Sequence, residues 1–119
     1  MNSAVDSIVI EIELTDLDAD RSLLDWPGTS LVIFTGEGCA SCRWARRELP
    51  KLKLPLDRLC WIDAGRNGGL VERYEVFHLP ALFAVRDGRF FGTVQARLSL
   101  SELTTALERA WLRFEEELP

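Results

Sequence analysis

The stretch Leu31-Val32-Ile33-Phe34-Thr35-Gly36-Glu37-Gly38-Cys39-Ala40-Ser41-Cys42 decides the reading of this chain. An apolar run enters a glycine-rich turn and then meets two cysteines separated by Ala40 and Ser41. Thiols at that spacing close a small disulfide ring that can be made and broken repeatedly. The spacing also puts both on the first turn of the helix that begins there. A thiolate at a helix N-terminus is stabilised by unpaired backbone N–H groups and by the positive end of the helix dipole, so such a cysteine attacks other disulfides.

Leu31 to Phe34 is apolar on both faces, which predicts a central, parallel strand covered by helices on each side. Upstream, Ser7 to Leu14 alternates apolar and acidic positions and reads as a half-exposed edge strand. Asp16 to Trp26 carries Leu17, Leu23, Leu24 and Trp26 at helical offsets behind an Asp cap, and Pro27-Gly28 ends it. Downstream of the cysteines, Trp44, Ala45, Glu48 and Leu49 continue a helix to the vicinity of Pro50. Leu59 to Ile62 is a second buried strand closing on Asp63, Gly65 to Gly69 a loop, and Leu70 to Tyr74 a short helix. Ala81 to Val85 and Phe90 to Val94 flank the hairpin signal Asp87-Gly88. Ser99 and Glu102 form a capping-box pattern for a last helix striped by Leu103, Leu107, Ala110 and Trp111, after which Glu115-Glu116-Glu117 reads as a solvated tail. The order β-α-β-α-β-α-β-β-α implies an α/β fold with a central mixed sheet and helices on both faces.

The 119 residues, 47% hydrophobic and 28% charged, suit one domain spanning 1–119. A formal net charge of −5 argues against a nucleic-acid surface. Met1 to Asp20 has neither a basic n-region nor a long apolar core, so no secretory signal is read there. No apolar run approaches the roughly 20 residues of a spanning helix, so no membrane span is expected. Three cysteines make a poor disulfide framework, whereas a paired C-x-x-C with α/β patterning reads as redox chemistry in a reducing cytoplasm.

The chain resembles the thioredoxin family. The resemblance rests on the buried strand leading into Cys39-x-x-Cys42, the strand ending Ile62-Asp63, the turn His78-Leu79-Pro80 before Ala81-Leu82-Phe83, and the Asp87-Gly88 hairpin, in that order across nearly the whole length. It implies a thioredoxin-like fold in which Pro80 is the family's cis-proline beside the cysteines. The backbone of Leu79 then contacts substrate, and Ala96 is the small residue of the loop before the last helix, where a partner backbone approaches. It further implies that Cys39 is the nucleophile forming a mixed disulfide and that Cys42, one turn deeper and buried, resolves it.

The chain also departs from the family. Gly38 stands where thioredoxins proper carry a Trp. Ile33 and Leu59 stand where they carry a buried Asp and a facing Lys; losing both together keeps the core satisfied but removes the family's proton acceptor for Cys42. Ala40-Ser41 replaces Gly-Pro and alters how the thiolate is stabilised, and Arg43 adds positive charge beside Cys42.

Against these readings stand plainer ones. A zinc site needs four ligands, and the remaining Cys60 and His78 lack ligand spacing, so no metal and no other cofactor is expected. Cys60 reads as a small core hydrophobe. His78 is either a proton relay near the site or an exposed turn residue. Glu37 either raises the thiolate pKa by like-charge repulsion or points into water, the plainer role; Trp26, Trp61 and Trp111 pack in or near the core, and Trp44 fits either role. The leading expectation is a monomeric thiol:disulfide oxidoreductase that acts on protein disulfides and takes electrons from an unidentified reductase. The alternative is a thioredoxin-fold binding or chaperone module with incidental or regulatory cysteines. A glutathione-using, glutaredoxin-like enzyme is a weaker third, because the glycine pair of that family is not evident near Asp87-Gly88.

Overall fold

The computed structural model describes residues 9–119. In chain order it contains β1 (Ile10–Leu14), α1 (Ala19–Asp25), β2 (Thr29–Thr35), α2 (Ala40–Glu48), β3 (Arg58–Asp63), α3 (Gly68–Arg73), β4 (Ala81–Arg86), β5 (Arg89–Thr93) and α4 (Leu100–Ala110). Short 3₁₀ turns at Leu49–Lys51 and Ala64–Arg66 complete it. The strands make one sheet in the order β1-β3-β2-β4-β5. β1 and β2 run parallel to β3, β4 is antiparallel to β2, and β5 is antiparallel to β4. β2 is therefore the central strand and β1 an edge, as the patterning predicts.

Side chains alternate across a strand, so the sheet sorts its residues into two layers. Leu31, Ile33, Leu59 and Trp61 face α2 and α4, packing on Ala45, Leu49, Leu103 and Leu107. Val32, Phe34, Cys60 and Ile62 face α1 and α3, packing on Ala19, Leu23, Leu70 and Tyr74. Burying each large apolar side chain stabilises the fold by about 1.5–3 kcal/mol, which is why β2 and β3 are apolar at every central position. Asp87 and Gly88 both take positive φ, 52° and 77°, the conformation a two-residue hairpin turn requires. None of the described helices is long and apolar enough to cross a membrane.

Several local expectations differ from the structure. Ser7 and Ile8 of the expected first strand lie outside the described residues, and pairing begins at Ile10. The first helix starts at Ala19 rather than near Asp16, leaving Leu17 96% exposed outside its apolar stripe. Asp16 instead caps a different helix: its carboxylate accepts the N–H groups of Gly69 and Leu70 at 3.3 and 2.9 Å. That remote cap lets α3 begin at Gly68, inside the segment expected to be loop. Asn67, buried at the same junction, accepts the Asp16 N–H at 2.8 Å and donates to the Asp63 carbonyl at 2.9 Å.

Ser99 caps α4 through Glu102 N–H at 3.3 Å, but its own N–H goes to the Arg97 carbonyl, so only half of the capping box forms. The acidic tail is also more than solvated chain. Glu116 exchanges two backbone hydrogen bonds of 2.8 Å with Phe90 on β5, and Glu115 pairs with Arg89 at 3.1 Å.

Candidate functional site

β2 ends at Thr35, and a three-residue turn carries the chain to Cys39, which sits at the N-cap of α2 in extended conformation. The Cys39 sulfur accepts the Cys42 N–H at 3.1 Å, one of the donors that a helix start leaves unpaired. Cys39 is half-buried, whereas Cys42, on the inner face of the first turn, is 1% exposed. Their Cα atoms are 5.2 Å apart and the two sulfurs form a disulfide. Helix geometry thus makes the two thiols unequal: one faces solvent at the positive helix end and the other lies beneath it.

The Leu79–Pro80 peptide bond is cis, and the Leu79 carbonyl oxygen lies 3.7 Å from the Cys39 sulfur. Beside this contact runs a groove of about 710 Å³ towards β4 and β5, lined by Ser41, His78, Leu79, Pro80 and Ala96. Five residues singled out in the sequence therefore share one concave surface next to Cys39. Phe77, 88% exposed, also lines it. Sequence reasoning missed Phe77; its one signal is an aromatic side chain in a short polar turn immediately before His78.

Other named positions have plainer roles. Gly38 has no atom within 4 Å of where a Cβ would stand, so the position is open rather than confined. Gly36 is the tight one: a Cβ there would come 2.8 Å from Leu79 Cδ1. Ala40, Ser41, Trp44, Glu37 and His78 are exposed. Arg43 donates to the Glu37 carbonyl at 3.1 Å and so braces the turn that presents Cys39. Among the described residues, no cluster of three His, Cys, Asp or Glu is placed to hold a metal.

Ile33 and Leu59 are both fully buried in the layer under α2, so the floor of the site is apolar. Cys60 lies in the opposite layer, and burial pushes its thiol up to about 11 despite a Ser30 hydrogen bond and the nearby Arg58 charge. It is a free, buried thiol on the far side of the sheet from the Cys39–Cys42 pair. On the β1 and β3 side of the cysteines lies a second cavity, of about 570 Å³, which Cys42 lines together with Glu13, Thr35 and Asp63. Arg46 crosses it, donating to both Glu13 oxygens at 2.7 and 3.1 Å and to Thr35 Oγ1 at 3.1 and 3.0 Å, with its guanidinium 4.8 Å from the Trp61 ring centre. This cluster was also missed, although Arg46 follows Cys42 by four residues and so shares its helix face.

No family model and no curated protein matches the sequence. Solved structures do resemble it. Thioredoxin from Trypanosoma brucei brucei is 17% identical with a TM-score of 0.64 over 93% of both chains. A designed protein is 18% identical with a TM-score of 0.68, over 87% of this chain and 94% of its own. Human ERp44 in a zinc-bound form is 16% identical with a TM-score of 0.65; the match covers 85% of this chain but only 31% of ERp44, so the chain spans about a third of that protein. With the mixed five-stranded sheet and the cysteine pair at the β2–α2 turn, these likenesses establish that the chain has the thioredoxin fold.

Proposed function

We propose that the protein is a thiol:disulfide oxidoreductase. The observation that carries this reading is the Cys39–Cys42 disulfide at the start of α2, its half-buried member facing the Pro80 groove and its partner enclosed. Cys39 attacks a disulfide and forms a mixed disulfide, one substrate sulfur leaving as a thiol. Cys42 then attacks the Cys39 sulfur, releases the second substrate thiol and closes the ring. Leu79, Pro80 and Ala96 hold an extended segment of the substrate beside Cys39. The reading carries with it a single domain acting as a cytoplasmic monomer on protein disulfides, recharged by a separate reductase.

Turnover of insulin disulfides with dithiothreitol as electron source tests it. The intact protein accelerates reduction and Cys39→Ser abolishes the acceleration; an intact protein no faster than dithiothreitol alone refutes the proposal. The exposed Phe77 beside an apolar groove favours a second reading, a client-binding module. That reading requires a partner whose capture survives replacement of both Cys39 and Cys42 by Ser.

A further inference from the structure

Resolution of a mixed disulfide requires Cys42 to give up its proton, because the thiolate is the nucleophile. Ile33 and Leu59, buried and apolar under α2, offer no acceptor. The cavity on the β1 and β3 side supplies one. Thr35 and Asp63 pair in register at the C-terminal ends of β2 and β3, on the sheet face that α2 covers. The Arg46 guanidinium stacks over Trp61, two residues before Asp63. From Arg46, Cys42 lies one helical turn back, a rise of about 6 Å. From Trp61, Asp63 lies about 6.6 Å further along the strand. α2 returns antiparallel to β2, so both advances run towards the end of the sheet where Cys42 and Asp63 line the same cavity.

Of the carboxylates around this cavity, Glu13 on β1 has both oxygens held by Arg46, and Glu37 sits exposed on the turn. Arg47 pairs with Glu48 at 2.8 Å, and Arg43 is committed to the Glu37 carbonyl. Asp63 uses Oδ1 to accept the Gly65 N–H at 3.0 Å. Among the described residues its Oδ2 has an ion-pair partner only in Arg66, at 3.7 Å and with a side chain 82% exposed, which leaves lone pairs for water.

We propose that Asp63 accepts the Cys42 proton through water in this cavity, in the resolving step of the thiol exchange proposed above, on which this inference rests. The proton passes from Cys42 Sγ to water and from water to Asp63 Oδ2. The Cys42 thiolate bonds to Cys39 Sγ, the bond from Cys39 to the substrate sulfur breaks, and that sulfur leaves with the electron pair and takes up a proton. The two electrons that reduce the substrate come from the protein dithiol, and no other oxidant or reductant is needed.

The test uses the reduced full chain and a dithiobis(nitrobenzoate) reagent, which releases one coloured thiolate when Cys39 attacks and a second when Cys42 resolves. Asp63→Asn keeps an oxygen for the Gly65 N–H. It is expected to slow the second burst roughly a hundredfold. It also turns a burst that is level around neutral pH into one that climbs with hydroxide, while the first burst changes less than twofold. Asp63→Glu restores most of the rate. The assignment is overturned if Asp63→Asn resolves at the parent rate, if both bursts slow equally, or if Glu13→Gln or Glu37→Gln slows the second burst as much. Because the reagent reacts with simple thiols, this outcome is read independently of insulin turnover, which alone decides whether the protein acts on protein disulfides.

Discussion

The Cys39 sulfur lies 3.7 Å from the carbonyl oxygen of Leu79, so the half-buried sulfur of the pair is held where the turn before Pro80 meets the start of α2. The contact joins two segments 40 residues apart and fixes which cysteine faces the groove. Cys42, one turn deeper, has its N–H on the Cys39 sulfur and its own sulfur enclosed.

That asymmetry predicts the order of alkylation in the reduced protein. Cys39 reacts with iodoacetamide at least roughly tenfold faster than Cys42, and Cys60 stays unmodified until the protein unfolds. Peptide mapping by mass spectrometry at successive times checks the order. Preferential labelling of Cys42 would reverse the roles assigned to the pair.

The two glycines before Cys39 should respond differently to substitution. Gly38→Trp meets open space and is expected to leave the unfolding midpoint within about 0.5 kcal/mol of the parent. Gly36→Ala must displace the Leu79 side chain, costing about 1–3 kcal/mol, and it changes the alkylation rate of Cys39 by moving the neighbouring turn. Urea unfolding and timed alkylation measure both.

The apolar floor makes a sharp prediction about buried charge. Ile33→Asp places an uncompensated carboxylate under α2 and should cost about 3–5 kcal/mol, with Leu59→Lys similarly damaging. Combined, the two substitutions should cost less than their sum, because the charges face the same layer. A double-mutant cycle by urea unfolding checks this; strict additivity would show that the positions do not meet.

Cys60 ties stability to alkaline pH. Its thiol rises from an ordinary 9.0 to about 11 in the folded protein through burial. The folded state therefore holds the proton over a window in which the unfolded chain releases it, and stability falls as pH rises between those values. Below 9.0 both states are protonated and the contribution is complete. Cys60→Ala should flatten that part of the stability–pH curve, whatever its effect at neutral pH.

Asp16 offers a test of long-range capping. Asp16→Ala removes the acceptor for Gly69 and Leu70 N–H and should cost about 1 kcal/mol, with hydrogen exchange accelerating first at Gly69 and Leu70. Faster exchange in α1 instead would return Asp16 to the role its sequence position suggests.

The order of elements along the chain and the pair at the β2–α2 turn were legible because period, breakers and spacing are local signals. β2 and β3 announce burial on both faces, and Asp87-Gly88 announces its turn. What escaped depends on residues distant in sequence. Asp16 precedes a helical pattern and looks like its cap, but the partner it finds is 53 residues away. Gly65 to Gly69 reads as loop because its helix is started from outside. Arg46 carries no local signal of its place, since only the fold brings Glu13, Thr35 and Trp61 around it. Phe77 gave no periodic signal, and its meaning comes from the groove it borders.

The pairing of Glu116 with Phe90 bears on how copies of this protein meet. A sheet margin with free N–H and C=O groups is a template for another chain, and β5 would be such a margin. The tail occupies both backbone groups of Phe90 and brings three consecutive carboxylates alongside, so a neighbour approaching there finds the hydrogen bonds taken and meets like charge. A truncation before Glu115 should therefore raise light scattering at high concentration, while leaving the distant cysteine chemistry as it was.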